Sequence, residues 1–155
     1  MSLEIERKFL VGSEPPTEGH RRAEHIRQGY LAEEGEVELR LRISDQRSVI
    51  TIKAGHGMSR TEVEVEIAPG DAEELWQFTA GRRLEKTRHR IDLGELTAEL
   101  DIFEGDLAGT SVVEVEFESA EAAERFVPPA WFGEELTGRA EWSNSALARH
   151  GLPRR

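Results

Sequence analysis

Cysteine is absent from the 155-residue sequence. Its absence excludes a disulfide framework, thiolate metal sites and a cysteine nucleophile. Long hydrophobic runs are missing too, because no stretch approaches the roughly 18 apolar residues that suggest a membrane span. The first residues also lack the apolar core of a signal peptide. We therefore expect a soluble, cytoplasmic protein without a membrane partner.

Positive charge is scarce relative to negative charge. Lys and Arg number 20 against 31 Asp and Glu, and the net charge is -11. This balance argues against nonspecific binding of nucleic acid, although it leaves room for a local basic pocket.

The P-loop, the dinucleotide-binding glycine signature and the HExxH motif are also absent. Their absence excludes NTPases of the P-loop kind, dehydrogenases and zinc proteases.

The length of the chain limits the number of domains that it can form. A chain of 155 residues has the usual size of one domain and can bury a core without disulfides. Apolar residues are spread along it in regular patterns, which argues against disorder. We expect a single domain that spans residues 1–155.

Charged and apolar residues alternate in the segment LEIERKF, residues 3–9. Successive side chains of a β-strand point to opposite faces, so Glu4, Glu6 and Lys8 must share one face. The same alternation predicts further strands at residues 36–43, 49–55, 59–67, 85–91, 97–105 and 112–119, with an eighth at 28–33. Helices are predicted at 71–80, with Asp71 as N-cap, after the N-cap Ser119, and near 143–151. The chain is thus predicted to be a β-rich α+β protein whose antiparallel strands form a closed eight-stranded barrel.

The alternation alone leaves open which face lies inside. In the usual antiparallel pattern, the apolar faces form the core and the charged faces meet water. The charges, however, are sorted by strand: residues 85–90 are mainly basic and residues 113–118 mainly acidic. A cavity that binds a metal–phosphate complex needs both signs, with carboxylates on the cation and Arg or Lys on the phosphate oxygens.

A family resemblance favours the charged interior. EIERKFL resembles the ExExK signature of the CYTH-like, or triphosphate tunnel metalloenzyme, superfamily. RQGYL, VELRLR, TIKAG, SRTEVEVEI, GRRLEKTR, AELDIFEGDLAG, VVEVEFES and PPAWFGEELTG resemble its bacterial inorganic-triphosphatase branch in the same order. The resemblance covers nearly the whole chain. It implies an antiparallel barrel with a hydrophilic tunnel, helices packed outside, and Glu4, Glu6 and Lys8 pointing inward.

The same resemblance assigns roles to individual residues. It implies that one or two Mg²⁺ or Mn²⁺ ions bind to Glu4, Glu6, Glu114 and Glu116, which with Lys8 form the catalytic set. It implies that the phosphate chain is held by Lys8, Arg40, Arg42, Lys53, Arg60, Lys86 and Arg88. Supporting roles fall to Glu62, Glu64, Arg90, Glu99 and Asp101.

The reaction implied is metal-dependent hydrolysis of tripolyphosphate to diphosphate and phosphate. Thiamine triphosphatase and class IV adenylyl cyclase use the same apparatus and remain alternatives, as does a polyphosphate-binding module without turnover. The single Tyr offers little to bind an organic group, and the His-Phe pair of the cyclases is lacking. We expect a small-molecule triphosphate as the partner, no nucleic acid, and a monomer or homodimer.

Overall fold

The computed structural model describes residues 2–55 and 59–154, and for Ser2 only the backbone. The described residues form strands β1 Ser2–Val11, β2 Glu24–Glu34, β3 Val37–Ser44, β4 Ser48–Ala54, β5 Ser59–Ile67, β6 Arg83–Leu93, β7 Leu96–Phe103, β8 Ser111–Glu116 and β9 Phe132–Glu135. They also form helices α1 Pro69–Trp76, α2 Ala120–Arg125 and α3 Asn144–His150. In this part of the chain no helix is long and apolar enough to cross a membrane.

Eight strands form a closed antiparallel ring. The order is β5-β4-β3-β2-β6-β7-β8-β1, and pairing of β1 with β5 closes the ring. The register places Glu4 opposite Arg60 across β1 and β5, and Glu6 opposite Glu116 across β1 and β8. The predicted β-rich fold with an eight-stranded antiparallel ring is therefore confirmed.

The ninth strand, β9, was not predicted from the sequence. It pairs with Phe9 and Val11 of β1, beyond the part of β1 that pairs with β5. Two glycines make this pairing possible: a Cβ added to Gly12 would lie 2.9 Å from the Cα of Gly133. The four residues of β9 are too few to show a recognisable alternation, so periodicity does not predict this strand.

Helices α1 and α2 cover the apolar outer faces of strands, as predicted. Ala72 of α1 packs against Leu41 and Ile43 of β3. Ala123 of α2 belongs to a larger cluster with Ile5 of β1 and Val115 of β8. The apolar residues of the strands therefore form cores between the barrel wall and the helices, and the charged residues face the barrel interior.

The prediction that Asp71 caps α1 is wrong. The helix begins at Pro69, and its N-cap is Ala68, three residues before Asp71, without a side-chain hydrogen bond. Proline is pre-organised for the first helical turn and needs no partner for a backbone N–H, which favours the earlier start. The N-cap at Ser119 is confirmed, because its side chain accepts a hydrogen bond from the backbone N–H of Ala122.

Helix α3 lies across one end of the barrel rather than along its outside. Its Leu147 packs with Leu84, Phe103 and Val112, residues on the inward faces of β6, β7 and β8. The inward residues at this end are apolar, whereas those further along the same strands are charged. The helix thus closes the apolar end and leaves a polar chamber beside it.

Candidate active site

A cavity of about 520 Å³ fills the middle of the barrel. Eight acidic and eight basic side chains line it, together with Tyr30, Ser143 and Asn144. Every site residue predicted from the sequence lines this cavity except Lys86 and Asp101. The alternating faces described above therefore converge on one chamber in which charges of both signs are matched in number.

The four carboxylates assigned to metal binding lie on β1 and β8, next to one another in the ring. Burial and the charges of Glu114 and Glu4 raise the pKa of Glu6 well above its ordinary value. Burial and the charge of Glu4 raise the pKa of Glu116 as well. Such mutual repulsion is what a divalent cation relieves, so the group is electrostatically suited to hold one.

Glu114 differs from its neighbours because a lysine faces it. The Lys8 Nζ lies 3.6 Å from its Oε1. Burial would raise the pKa of Glu114, but the charges of Lys8, Arg88 and Lys86 together outweigh it and lower the pKa to about 2. The same Oε1 is buried and accepts no hydrogen bond. An ionised, buried oxygen without a donor is a suitable ligand for a hard cation, so the donor set fits Mg²⁺ or Mn²⁺.

Most of the basic side chains in the chamber are paired with carboxylates. The closest contacts are Lys53 to Glu4 at 3.1 Å, Arg60 to Glu38 at 3.0 Å, Arg88 to Asp101 at 2.7 Å and Arg90 to Glu24 at 3.2 Å. These pairs hold the side chains in place in the absence of substrate. They also reduce the positive charge that an incoming anion meets.

Lys86 and Asp101 lie behind the lining of the chamber with their side chains fully buried. The Lys86 Nζ donates to Asp101 at 2.7 Å, and Arg88 donates to both oxygens of the same carboxylate. Burial alone would raise the pKa of Asp101, but the charges of Arg88 and Lys86 outweigh it and lower the pKa well below its ordinary value. Asp101 thus anchors Arg88, consistent with its predicted supporting role, whereas phosphate binding by Lys86 stays a prediction.

Several lining residues were not assigned to the site from the sequence. Glu38 shares the alternating face of Arg40 and could have been found from that pattern, as could Tyr30 within the strand at 28–33. Arg47 lies between β3 and β4, where no periodicity exists. Ser143 and Asn144 reach the chamber only because α3 folds over the end of the barrel.

A second cavity of about 360 Å³ adjoins the chamber and shares five lining residues with it: Glu6, Lys8, Glu38, Arg60 and Ser143. Its other lining residues include Val37, Leu136 and Arg139, and its described lining contains no aromatic side chain. Arg139 is exposed and pairs with Glu134 and Glu141. This second cavity therefore offers no aromatic ring on which a nucleobase or a thiazole ring could stack.

Comparison with known proteins agrees with this architecture. The family model of the CYTH domain matches residues 2–140. The chain belongs to the CYTH family. An inorganic triphosphatase of Nitrosomonas europaea is 47% identical over 148 residues, with 94% of this chain and 96% of that protein covered. An inorganic triphosphatase of Acetivibrio thermocellus is 31% identical over 152 residues, with 97% and 96% covered.

Solved structures show the same CYTH fold. The crystal structure of the inorganic triphosphatase NE1496 superposes with a TM-score of 0.72 at 43% identity. The match covers 97% of this chain and 100% of that chain. The likeness therefore extends over the barrel, β9 and the C-terminal helix together.

Proposed function

We propose that this CYTH protein hydrolyses inorganic triphosphate to diphosphate and phosphate in a divalent-metal-dependent reaction. The observation that carries the proposal is the chamber itself, which juxtaposes four carboxylates on β1 and β8 with cations from β3, β4, β5 and β6. The names of the two relatives support inorganic triphosphate as the substrate. A linear polyanion with bound metal is the ligand that such a mixed lining suits.

The metal would be held by Glu4, Glu6, Glu114 and Glu116. One or two Mg²⁺ or Mn²⁺ ions bound there would neutralise phosphate charge and lower the pKa of an attacking water. Arg40 and Arg42 would bind phosphate oxygens on the opposite side of the chamber. Lys8, beside Glu114, would offer a further cation to the phosphate chain.

A general base is available on the carboxylate side. Glu116 lines the chamber, is exposed to solvent there, and has a raised pKa. A carboxylate of raised pKa is a better proton acceptor than an ordinary one. Glu116 would thus serve both as a metal ligand and as the acceptor of the proton from the attacking water, while Glu114, whose pKa is lowered, would serve as a metal ligand alone.

The rival functions differ in what they require of the two cavities. A thiamine triphosphatase or an adenylyl cyclase needs a place for an organic group, and the described lining of both cavities contains a single aromatic residue, the fully buried Tyr30. A module that only binds polyphosphate gains nothing from four clustered carboxylates. Bare triphosphate is therefore the preferred substrate, and a cytoplasmic monomer or homodimer remains the proposed setting.

The deciding experiment is a phosphate-release assay on the purified protein. Tripolyphosphate, ATP, thiamine triphosphate and diphosphate would each be supplied with Mg²⁺, with Mn²⁺ and with chelator, and cyclic AMP would be measured in the ATP samples. We expect fast release from tripolyphosphate alone, abolished by chelator. Preference for an organic triphosphate, or tight binding without turnover, would overturn the assigned reaction.

A further inference from the structure

Two arginines in the chamber differ from the other basic residues in their partners. Within residues 2–55 and 59–154, neither Arg40 nor Arg42 forms an ion pair, whereas Lys8, Lys53, Arg60, Arg88 and Arg90 all do. Arg40 donates to the hydroxyl of Thr51 at 3.3 Å. Arg42 donates to the side-chain oxygen of Gln28 through its Nε at 3.2 Å and its Nη2 at 3.1 Å. Neutral oxygens thus hold both guanidinium groups.

Gln28 is itself held rigidly. It is fully buried on the inward face of β2, directly opposite Arg42 in the β2–β3 pairing. Its side-chain amide donates to the hydroxyl of Tyr30 at 2.7 Å. Burial raises the pKa of Tyr30, so this phenol stays neutral. A guanidinium only donates hydrogen bonds, so the oxygen of Gln28 must face Arg42 while its amide faces the phenol.

We infer that Gln28 is a positioning residue: it orients the guanidinium of Arg42 toward the chamber without cancelling the charge that binds the phosphate chain. A carboxylate in its place would anchor the arginine equally well but would compete with the anion. An apolar side chain would leave the arginine charged but free to move. The glutamine therefore combines orientation and full charge, as Thr51 does more weakly for Arg40. The inference rests on the proposed phosphate substrate.

The charge state of Arg42 is compatible with this role. Burial, together with the nearby charges of Arg40 and Arg88, lowers the pKa of Arg42 to about 9. The group thus remains charged at neutral pH, although two other cations lie close to it. A polyanion entering the chamber relieves that repulsion, which is one physical reason for leaving this guanidinium without a carboxylate partner.

The test compares Gln28→Glu and Gln28→Met with the wild-type protein. Both substitutions keep the approximate shape of the side chain; the first keeps the acceptor and adds a charge, and the second removes the acceptor. We expect KM for metal–tripolyphosphate to rise about tenfold or more in each, with kcat changed far less, because binding to Arg42 is lost in ground and transition states alike. The matched control is Gln77→Glu, the same charge change at an exposed position, which should leave both constants unchanged.

A double-mutant comparison separates positioning from a general effect on packing or charge. In an Arg42→Ala background, Gln28→Met should cause no further rise in KM, because no guanidinium remains to be oriented. A further rise of the same size, or a wild-type KM in the single variants, would overturn the inference. Loss of thermal stability with an unchanged KM would show a merely structural role and would overturn it equally.

The Arg42 side chain gives a readout that does not depend on turnover. Its Nε–H resonance, identified by its disappearance in Arg42→Lys, should be protected from exchange in the wild type and lose that protection in Gln28→Met. An unchanged resonance would refute positioning even if the protein hydrolysed triphosphate well. A wild type that neither binds nor hydrolyses tripolyphosphate would instead refute the proposed function, while the resonance would still decide whether Gln28 orients Arg42.

Discussion

Glu6 shows how a buried acidic side chain can lower the stability of the fold at neutral pH. Its pKa is raised by burial and by the charges of Glu114 and Glu4, so the folded protein binds protons here more tightly than the unfolded chain does. Stability from this group is therefore present at low pH and is lost as the pH rises above the ordinary range of a carboxyl group. The neutral isostere glutamine removes that loss.

We therefore predict that Glu6→Gln raises the Tm of the metal-free protein at neutral pH. The expected increase is a few degrees, since about 1 kcal/mol shifts Tm by roughly 2–4 °C in a domain of this length. The same variant should lose most of the thermal stabilisation that Mg²⁺ or Mn²⁺ gives the wild type. Thermal melts in chelator and in metal would show both effects, and a lower Tm in chelator would contradict the assignment of repulsion at Glu6.

Asp101 illustrates the opposite case. Its carboxylate is the shared partner of Lys86 and Arg88, all three being buried. Replacement by asparagine removes the counter-charge of Lys86 and leaves Arg88 only its contact with Glu99 at 3.2 Å; breaking such a buried pair typically costs about 3–5 kcal/mol. We predict a large fall in the denaturant midpoint of Asp101→Asn at neutral pH.

The stability lost in Asp101→Asn should depend on pH, because it arises from the charge of the Asp101 carboxylate. The pKa of Asp101 is lowered in the folded state, so its contribution is present above the unfolded pKa of about 3.9 and is lost as the pH falls below it. The difference between wild type and Asp101→Asn in chemical denaturation should therefore shrink in acid. A constant difference from neutral pH to pH 3 would mean that the asparagine acts through packing rather than through charge.

Strands and helices differ in how much of their structure the sequence reveals. The strands of the ring were predictable because each has an alternating face, and those faces also revealed the site residues that point inward, such as Glu4 and Arg40. Only the family resemblance predicted which face points inward, because the alternation is the same whether the barrel interior is polar or apolar. Three features could not be predicted because they depend on long-range packing. They are β9, the position of α3, and the burial of Lys86 behind the residues that line the chamber.

The pairing of β9 with β1 depends on two glycines whose backbones touch. We predict that Gly12→Ala destabilises the protein by about 1–3 kcal/mol, the usual cost of forcing extra volume into a packed contact. It should also raise KM, because Leu136, which follows β9 directly, lines the second cavity and Ser143 lines both cavities.

Gly70 provides the matched control for this substitution. A Cβ added there, in the first turn of α1, would meet no atom within 4 Å. Gly70→Ala should therefore be neutral or slightly stabilising, because alanine favours a helix over glycine by up to about 1 kcal/mol. Equal chemical-denaturation midpoints for the two alanine variants would show that the contact between Gly12 and Gly133 is not tight.

The balance of charge governs binding at the scale of the whole molecule. The net charge is -11, and the chamber itself contains equal numbers of acidic and basic side chains. Neither the surface nor the chamber therefore offers a net positive potential to a bare polyanion. Metal ions would supply the missing positive charge on the carboxylate side.

We predict that tripolyphosphate binds at least about tenfold more weakly in chelator than with a divalent ion, and that neutralising Glu4 and Glu116 together, as glutamines, restores part of the chelator affinity. Calorimetric titration of the wild type and the double variant would test this. Tight metal-free binding by the wild type would instead indicate a site that the cations dominate.

The closure of the ring also dictates when the site can exist during synthesis. β1 is made early, but its partners β8 and β9 come late, and the contact between Arg7 and Glu135 joins residues 128 positions apart. Until β8 is made, β1 has only β5 as a partner, whereas β2 to β5 and the pair β6–β7 form hairpins between neighbours in sequence. Glu4 and Glu6 meet Glu114 and Glu116 only after β8 has been made, so a chain that stalls before β8 lacks half of the proposed metal ligands.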